Sequence, residues 1–505
     1  MPEMALTELF SHVSLEETRG DMRRAVRGIA YDSRDAGPGF LFAAMDGLHT
    51  DGHRYVGDAI RRGATAVLHA RPLTDVPPDV TCIRVRDPRN ALSPVAAAFY
   101  RHPSKSIKVI GVTGTDGKSS TVWFITQLIG FLGGRAGFLS TVSFKTGDQV
   151  VKNPFRQSTP ESTEIQGMLR EMVDKGQDIA VVEATSHGLS PRTNRLGDVH
   201  FDAAVLTNVT HEHLEFHGSF EQYRSDKANL FRAVSPDAAK DVHGPRFAVV
   251  NAADPSAGYF QDASRVPVYR YGSGGELEAR SPREDVSGTT FRMVHDGKEA
   301  EARISIPGPF WVENALAAVL AASRILELPP LSLSPLVNRL QGVQGRMASV
   351  DLGQPFAVIV DYAHTPGAFL KLFPWMRSHT QGALTAVFGS AGERDREKRP
   401  LQGRAAGAHS DTLVITDEDP RGEDRMEILE QIAKGCEGKT RGENLFLIPD
   451  RREAIRFALS RARPGDAVLL LGKGHEGSII GPEGPAAWDE RTEAEAALRS
   501  LGYAG

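Results

Sequence analysis

Between residues 106 and 340 the chain alternates short apolar runs with longer segments whose apolar positions recur every three to four residues. "KVIGVTG", "DIAVVEATSHG", "FDAAVLTNVT" and "RFAVVNAADP" are almost continuously apolar and end in polar clusters. That is the pattern of parallel strands covered on both faces, with helices between them. Ile107–Val112 reads as a strand. From Ser120 a helix is expected, with apolar positions at Phe124, Ile125, Leu128, Ile129 and Leu132, and "NALAAVLAASRIL" (314–326) reads as another. The interval 265–305, with "VPVYRYGSG" and "TTFRMVHDG", looks antiparallel. "LQGVQGRMASV" reads as a hinge. Beyond it the strand pattern returns in "FAVIVDYAHTP", "GALTAVFGSAG", "DTLVITDEDP", "NLFLIPD" and "DAVLLLGKGHE". The first 105 residues form a smaller unit, with strands broken by Gly and Pro in "VRGIAYDSRDAGPGFLFAAM" and a helix leading to a strand in "YVGDAIRRGATAVL". The expectation is an α/β chain of three domains, 1–105, 106–342 and 343–505. Polar clusters at the C-terminal strand ends mark the edge where open α/β sheets bind ligands.

Composition narrows the function. Over 505 residues the net charge is −5, so the broad basic face of a nucleic-acid binder is not expected. No run approaches the roughly 20 apolar residues of a membrane span, and the N-terminus has no charged-then-apolar signal. Cys82 and Cys436 are the only cysteines and have no ligand-like spacing, which fits a reduced compartment. A cytoplasmic protein, expected as a monomer, is the simplest reading.

The candidate chemistry starts at "GVTGTDGKSST" (111–121). A glycine-rich loop between strand and helix points N–H groups at an anion, and a lysine and a hydroxyl follow for phosphate and Mg²⁺. Val112 stands where the strict pattern has its first glycine. Lys118 would neutralise the β- and γ-phosphates, and Ser119 or Ser120 would reach the metal. A second cluster is Glu183, Ser186 and His187. A third, "TNVTHEHLEFHGSFEQYRSDKANLF", holds Asn208, His211, Glu212, His213, Glu215, His217 and Lys227. The spacing is not that of a zinc site, and oxygen ligands with one imidazole suit Mg²⁺ bound to phosphate. A lysine among such ligands would repel the metal unless its charge were removed.

These motifs, followed in order by "GRM", "VDYAHTP", "FGSAGERDREKRP", "TDEDPRGED" and "LGKGHE", resemble those of the Mur ligase family. The branch most resembled extends UDP-N-acetylmuramoyl-L-alanyl-D-glutamate with a diamino acid. The resemblance covers nearly the whole chain. It implies an N-terminal UDP-sugar domain, a central ATPase domain and a Rossmann-like amino-acid domain. It also implies that ATP phosphorylates a substrate carboxylate, which an amine then attacks.

By the same resemblance Gly114, Thr115, Asp116, Gly117, Lys118, Ser119 and Ser120 cradle ATP, with Asn314, Arg346, Asp361 and His364. Ser119, Glu183, His213 and Lys227, the last carbamylated with CO2, hold Mg²⁺. Lys118, Glu183, His213 and Lys227 form the catalytic set. The family's "FN" is here Phe310–Trp311, so one polar nucleotide contact is expected to be replaced. The UDP-sugar dipeptide is expected at Ser33, Arg34, Asp51, His53, Ser158, Thr159 and Ser186, with either Arg192 or Arg195. The diamino acid is expected at Arg394, Asp419, Arg421, Gly472 and Glu476. Asp419 stands where diaminopimelate-adding members commonly carry Asn. A carboxylate there would repel another and attract a side-chain ammonium, which shifts the balance toward L-lysine or L-ornithine without deciding among the three. The rival readings are a sister ligase, such as MurF or folylpolyglutamate synthetase, and a P-loop protein that binds without catalysis.

Overall fold

The computed structural model describes residues 3–47, 50–155, 157–210, 214–285, 288–306, 308 and 310–504. The chain divides into two compact units. One takes Met1–Ser281, Phe291–Ala302 and Val312–Leu340, and the other takes Pro282–Thr290, Arg303–Trp311 and Gln341–Gly505.

The first unit holds two large sheets, besides a two-stranded pairing of Met4–Ala5 with Ala25–Val26. In the smaller, Gly28–Ala30, Phe40–Ala43, Ala66–His69 and Thr81–Arg84 pair in parallel in that order, and Glu17–Arg19 runs antiparallel on the far edge. In the larger, six parallel strands lie in the order Ala136–Leu139, Ile179–Glu183, Lys108–Thr113, Ala203–Leu206, Phe247–Asn251 and Val268–Tyr271. The apolar runs are buried on both faces. Val109, Val182, Ala204 and Leu206 meet Ile165, Leu169, Leu230 and Phe231 of the covering helices. Each fully buried Leu, Ile or Phe contributes about 1.5–3 kcal/mol, so this packing fixes where the strand ends point.

Lys108–Thr113 lies where the order of connections reverses. Its helix Lys118–Phe131 leads to one side, and Ala203–Leu206 pairs on the other. Loops at such a point diverge and leave a crevice. One expectation needs correction: Val268–Tyr271 runs parallel to Phe247–Asn251. Val268, Tyr269 and Arg270 are half-buried in succession and only Tyr271 is buried, so the strand lacks the continuous apolar run of its neighbours although it lies inside the sheet, between Phe247–Asn251 and Leu277–Asp285. Three more strands follow, Leu277–Asp285, Gly288–His295 and Lys298–Ile304.

The second unit has a parallel sheet in the order Ala357–Asp361, Ala467–Leu471, Leu384–Phe388, Thr412–Ile415 and Leu445–Leu447, with Ala348–Ser349 antiparallel beside the first. Among the described residues no single helix is long and apolar enough to cross a membrane.

Candidate functional site

The phosphate loop is constrained by its own neighbours. Gly114 has φ +150°, and a Cβ there would lie 1.8 Å from the Thr207 hydroxyl. Gly117 has φ +82°, and a Cβ would lie 2.3 Å from Asn314 Oδ1. Both positions therefore require glycine. Asn208 braces the loop from the next strand: its carbonyl accepts from Thr115 N (2.8 Å) and its Oδ1 from Asp116 N (2.9 Å). Lys118 opens the helix and folds back to donate to the Thr115 carbonyl at 2.7 Å. Ser120 is buried one residue beyond Ser119.

Ser119 donates to Glu183 Oε2 at 2.8 Å, and the Thr141 N–H and hydroxyl donate to the same carboxylate at 2.9 and 2.8 Å. Three donors hold Glu183, which is 3% exposed. Thr141 carries no motif and was invisible in the sequence. Lys227 is 2% exposed; its ammonium donates to the Gly114 carbonyl at 2.6 Å and lies 4.5 Å over the Tyr223 ring. The Tyr223 hydroxyl is 3.0 Å from Thr115 Oγ1. One helix, Phe220–Ala233, thus presents Tyr223 and Lys227 to the phosphate loop at i, i+4 spacing. His211, Glu212 and His213 lie outside the described residues, so the predicted imidazole ligand is not located.

A cavity of about 930 Å³ opens in the same unit, lined by Tyr31, Ser33, Arg34, Arg89, Gln157 and Glu161 among others. Ser33 and Arg34 line it, Arg34 paired with Asp32 at 2.5 Å. Asp51 and His53 do not line it. They pair with each other at 2.7 Å, Ala70 N donates to His53 Nε2, and Arg71 clamps Asp51 to Asp46. The His53 backbone N–H and ring, with Arg71 beside them, hold the Asp51 carboxyl down to about 2. Asp46, Asp51 and His53 have the spacing of a metal cluster, but Arg71 occupies it.

Thr159 is buried, with its hydroxyl on Thr185 Oγ1 (2.8 Å), and Ser158 beside it is half-buried. Ser186 hydrogen-bonds His217 at 3.0 Å. The two arginine candidates separate clearly. Arg195 donates to the Thr159 carbonyl and pairs with Glu161, both at 2.9 Å. Arg192 is exposed; its guanidinium donates to the Phe216 carbonyl at 2.6 Å and lies 5.7 Å over the Phe216 ring.

In the second unit Asp361 receives Met347 N and Ala363 N, both at 2.7 Å, which fixes the turn carrying Arg346. Burial raises the Asp361 pKa against the opposing pull of Arg346. Arg346 lies 4.7 Å over the Tyr362 ring. His364 Nδ1 is 2.9 Å from the Tyr362 carbonyl, and burial, then Lys398, pushes its pKa down.

Asp419 departs from the sequence reading. Lys473, which is fully buried, donates to Asp419 Oδ1 at 2.8 Å and to Glu476 at 2.5 Å, and Ile480 N also donates to Asp419. The charge expected to draw an ammonium is already neutralised within the fold. The carboxylate left over is Glu418. It is buried, its Oε2 has no hydrogen-bond partner among the described residues, and burial raises its pKa. It sits at Gly472, where a Cβ would lie 3.1 Å from Oε2. Arg421 Nε is likewise buried without a partner, and Arg394 is exposed. Glu418, like Thr141, was not singled out in the sequence. Its signal was a carboxylate next to the motif position that drew attention.

Comparison with known proteins agrees along the whole chain. The Mur ligase family catalytic domain matches residues 25–100, the Mur ligase middle domain 112–322, and the Mur ligase glutamate ligase domain 345–474. A UDP-N-acetylmuramyl-tripeptide synthetase from Roseiflexus sp. (strain RS-1) is 48% identical, covering 99% of this chain and 100% of its own. A UDP-N-acetylmuramoyl-L-alanyl-D-glutamate–2,6-diaminopimelate ligase from Syntrophomonas wolfei is 37% identical over 98% and 99%. A solved structure of a ligase of that second name superposes with TM-score 0.64 at 27% identity, covering 99% of each chain.

Proposed function

The chain belongs to the Mur ligase family, ATP-dependent enzymes that form peptide bonds, and from that premise we propose that it joins a diamino acid to the D-glutamyl carboxylate of UDP-N-acetylmuramoyl-L-alanyl-D-glutamate in peptidoglycan synthesis. A carboxylate is a poor electrophile and hydroxide a poor leaving group. Transfer of the γ-phosphoryl group to a carboxylate oxygen releases ADP and makes an acyl phosphate. The amine then forms the C–N bond, loses a proton, and phosphate departs. Such a reaction needs chiefly positioning and charge neutralisation.

The observation that carries this reading is the contact of Ser119 with Glu183 at 2.8 Å beneath the phosphate loop, with Lys227 buried on the Gly114 carbonyl. Hydroxyl and carboxylate oxygens suit Mg²⁺, which would neutralise phosphate charge as it transfers. An ammonium at Lys227 opposes that ion, whereas N-carboxylation reverses its sign and makes it a ligand; His213 is assigned as a further one. Lys118 releases the Thr115 carbonyl to take the phosphates. Arg346, Asp361 and His364 are assigned to the nucleotide. Ser33 and Arg34 hold the UDP end of the acceptor, while Ser186, Thr159 and the exposed Arg192 hold its peptide end; Asp51 and His53 shape the pocket wall from behind.

For the amine we assign Glu418 to an ammonium of the diamino acid and Arg421 to its carboxylate. Lys473 is taken up by Asp419 and Glu476, whereas Glu418, within the field of Lys398 and Lys473, keeps an oxygen with no hydrogen-bond partner among the described residues for an ammonium to meet. The test is phosphate release with ATP, Mg²⁺ and the acceptor, across meso-diaminopimelate, L-lysine, L-ornithine and no amine. Release dependent on one diamino acid, with the matching mass gain, is expected. Release with none would overturn the assignment of the acceptor.

A further inference from the structure

Ser186, His217 and Asp226 form a buried line behind the strand that carries Glu183. Ser186 opens the short helix Ser186–Leu189, and its Oγ is 3.0 Å from His217 Nε2. His217 Nδ1 is 2.8 Å from Asp226 Oδ2, and the other Asp226 oxygen accepts from Gln222 at 2.8 Å. The His217 and Asp226 side chains are 0% and 2% exposed. Among the described residues the charged and titratable groups around the imidazole include Asp226 and Tyr223 from one helix and His187 from the turn, with Lys227 on the Tyr223 ring.

The line has the order of a hydrolase triad. In the proposed reaction, however, ATP activates the acyl group, so Ser186 is not needed as a nucleophile. Its hydrogen-bond polarity matters instead. Ionised Asp226 only accepts, which keeps the imidazole proton on Nδ1. Nε2 is then a lone pair and takes the Ser186 O–H, so Ser186 has only lone pairs left to offer. A carboxylate brought to it finds no donor. If the imidazole gains a second proton, Nε2–H donates to Oγ and the serine proton turns toward the carboxylate.

We propose that His217 and Asp226 are positioning residues that couple binding of the acceptor carboxylate at Ser186 to uptake of one proton by His217. This rests on the acceptor site proposed above. The test is calorimetric titration of the full chain with UDP-N-acetylmuramoyl-L-alanyl-D-glutamate between pH 6 and 9, in buffers of different ionisation enthalpy. Expected are uptake approaching one proton and a Kd that weakens about tenfold per pH unit once the free imidazole has lost its proton. In Asp226→Asn the amide donates to Nδ1 and the proton moves to Nε2. That variant should bind with little uptake and a nearly flat Kd, and His217→Gln, whose amide supplies the same donor, should behave alike. A flat Kd without uptake in the unmodified chain would overturn the proposal, as would a slope that survives both substitutions. Absence of binding at every pH would instead remove the acceptor site itself, and the phosphate-release assay would then show no dependence on the acceptor.

Discussion

The phosphate corner of the first unit and the amino-acid edge of the second are built by different means. At the corner, backbone does the work: two glycines at positive φ, N–H groups tied to Asn208, and a helix start that fixes Lys118 and Ser119. At the edge, buried side-chain charges pair with one another, and the carboxylate oxygen left without a hydrogen bond among the described residues is Glu418 Oε2. A backbone site tolerates little change at any position. A charge network redistributes, so the outcome of a substitution depends on which partner is removed.

The largest effect should come from the corner. Gly117→Val places side-chain atoms against Asn314 and forces a β-branched residue to φ +82°. ATP-dependent phosphate release is expected to fall by about 10³-fold or more, comparable with Lys118→Ala, since electrostatic groups at a transferring phosphoryl are commonly worth that much. Near-normal turnover in either variant would show that the loop does not hold the nucleotide. Lys227→Ala should follow at about 10²–10³-fold in kcat, the scale of one lost electrostatic group, with partial recovery in added short carboxylates. Full activity without additive would refute the carbamate.

At the edge Glu418→Gln keeps the size of the side chain and removes its charge. The KM for the diamino acid is expected to rise about 10- to 100-fold with a smaller change in kcat, the magnitude of one charge-assisted hydrogen bond. A KM that does not move would place the ammonium elsewhere.

The same contrast explains what could be read from the chain. Lys118 and Ser119 follow Gly117 directly, and strand and helix flank them, so local spacing was enough to gather them. The parallel strands were legible because residues buried on both faces leave continuous apolar runs. Partners from distant segments left no such mark. Thr141 reaches Glu183 across 42 positions and Lys473 reaches Asp419 across 54. Without those partners the sequence assigned Asp419 a free charge that it does not have. Asp51 and His53 are a similar case: Arg71, 20 positions from Asp51, pairs with it, a partner that local spacing does not show.

The smallest functional effect is expected at Asp419 itself, and it sharpens the comparison most. Asp419→Asn leaves an oxygen for Lys473 and Ile480 N but removes the charge that balances a fully buried ammonium. Weakening a buried pair on one side is costly, about 1–3 kcal/mol where a hydrogen bond persists, and should lower Tm by several degrees. Selectivity among meso-diaminopimelate, L-lysine and L-ornithine should change less than about threefold, because the lost charge was already cancelled toward the ligand. The reverse result, an altered amino-acid profile at unchanged Tm, would mean that Asp419 reads the substrate directly and that Lys473 yields it when the amino acid arrives.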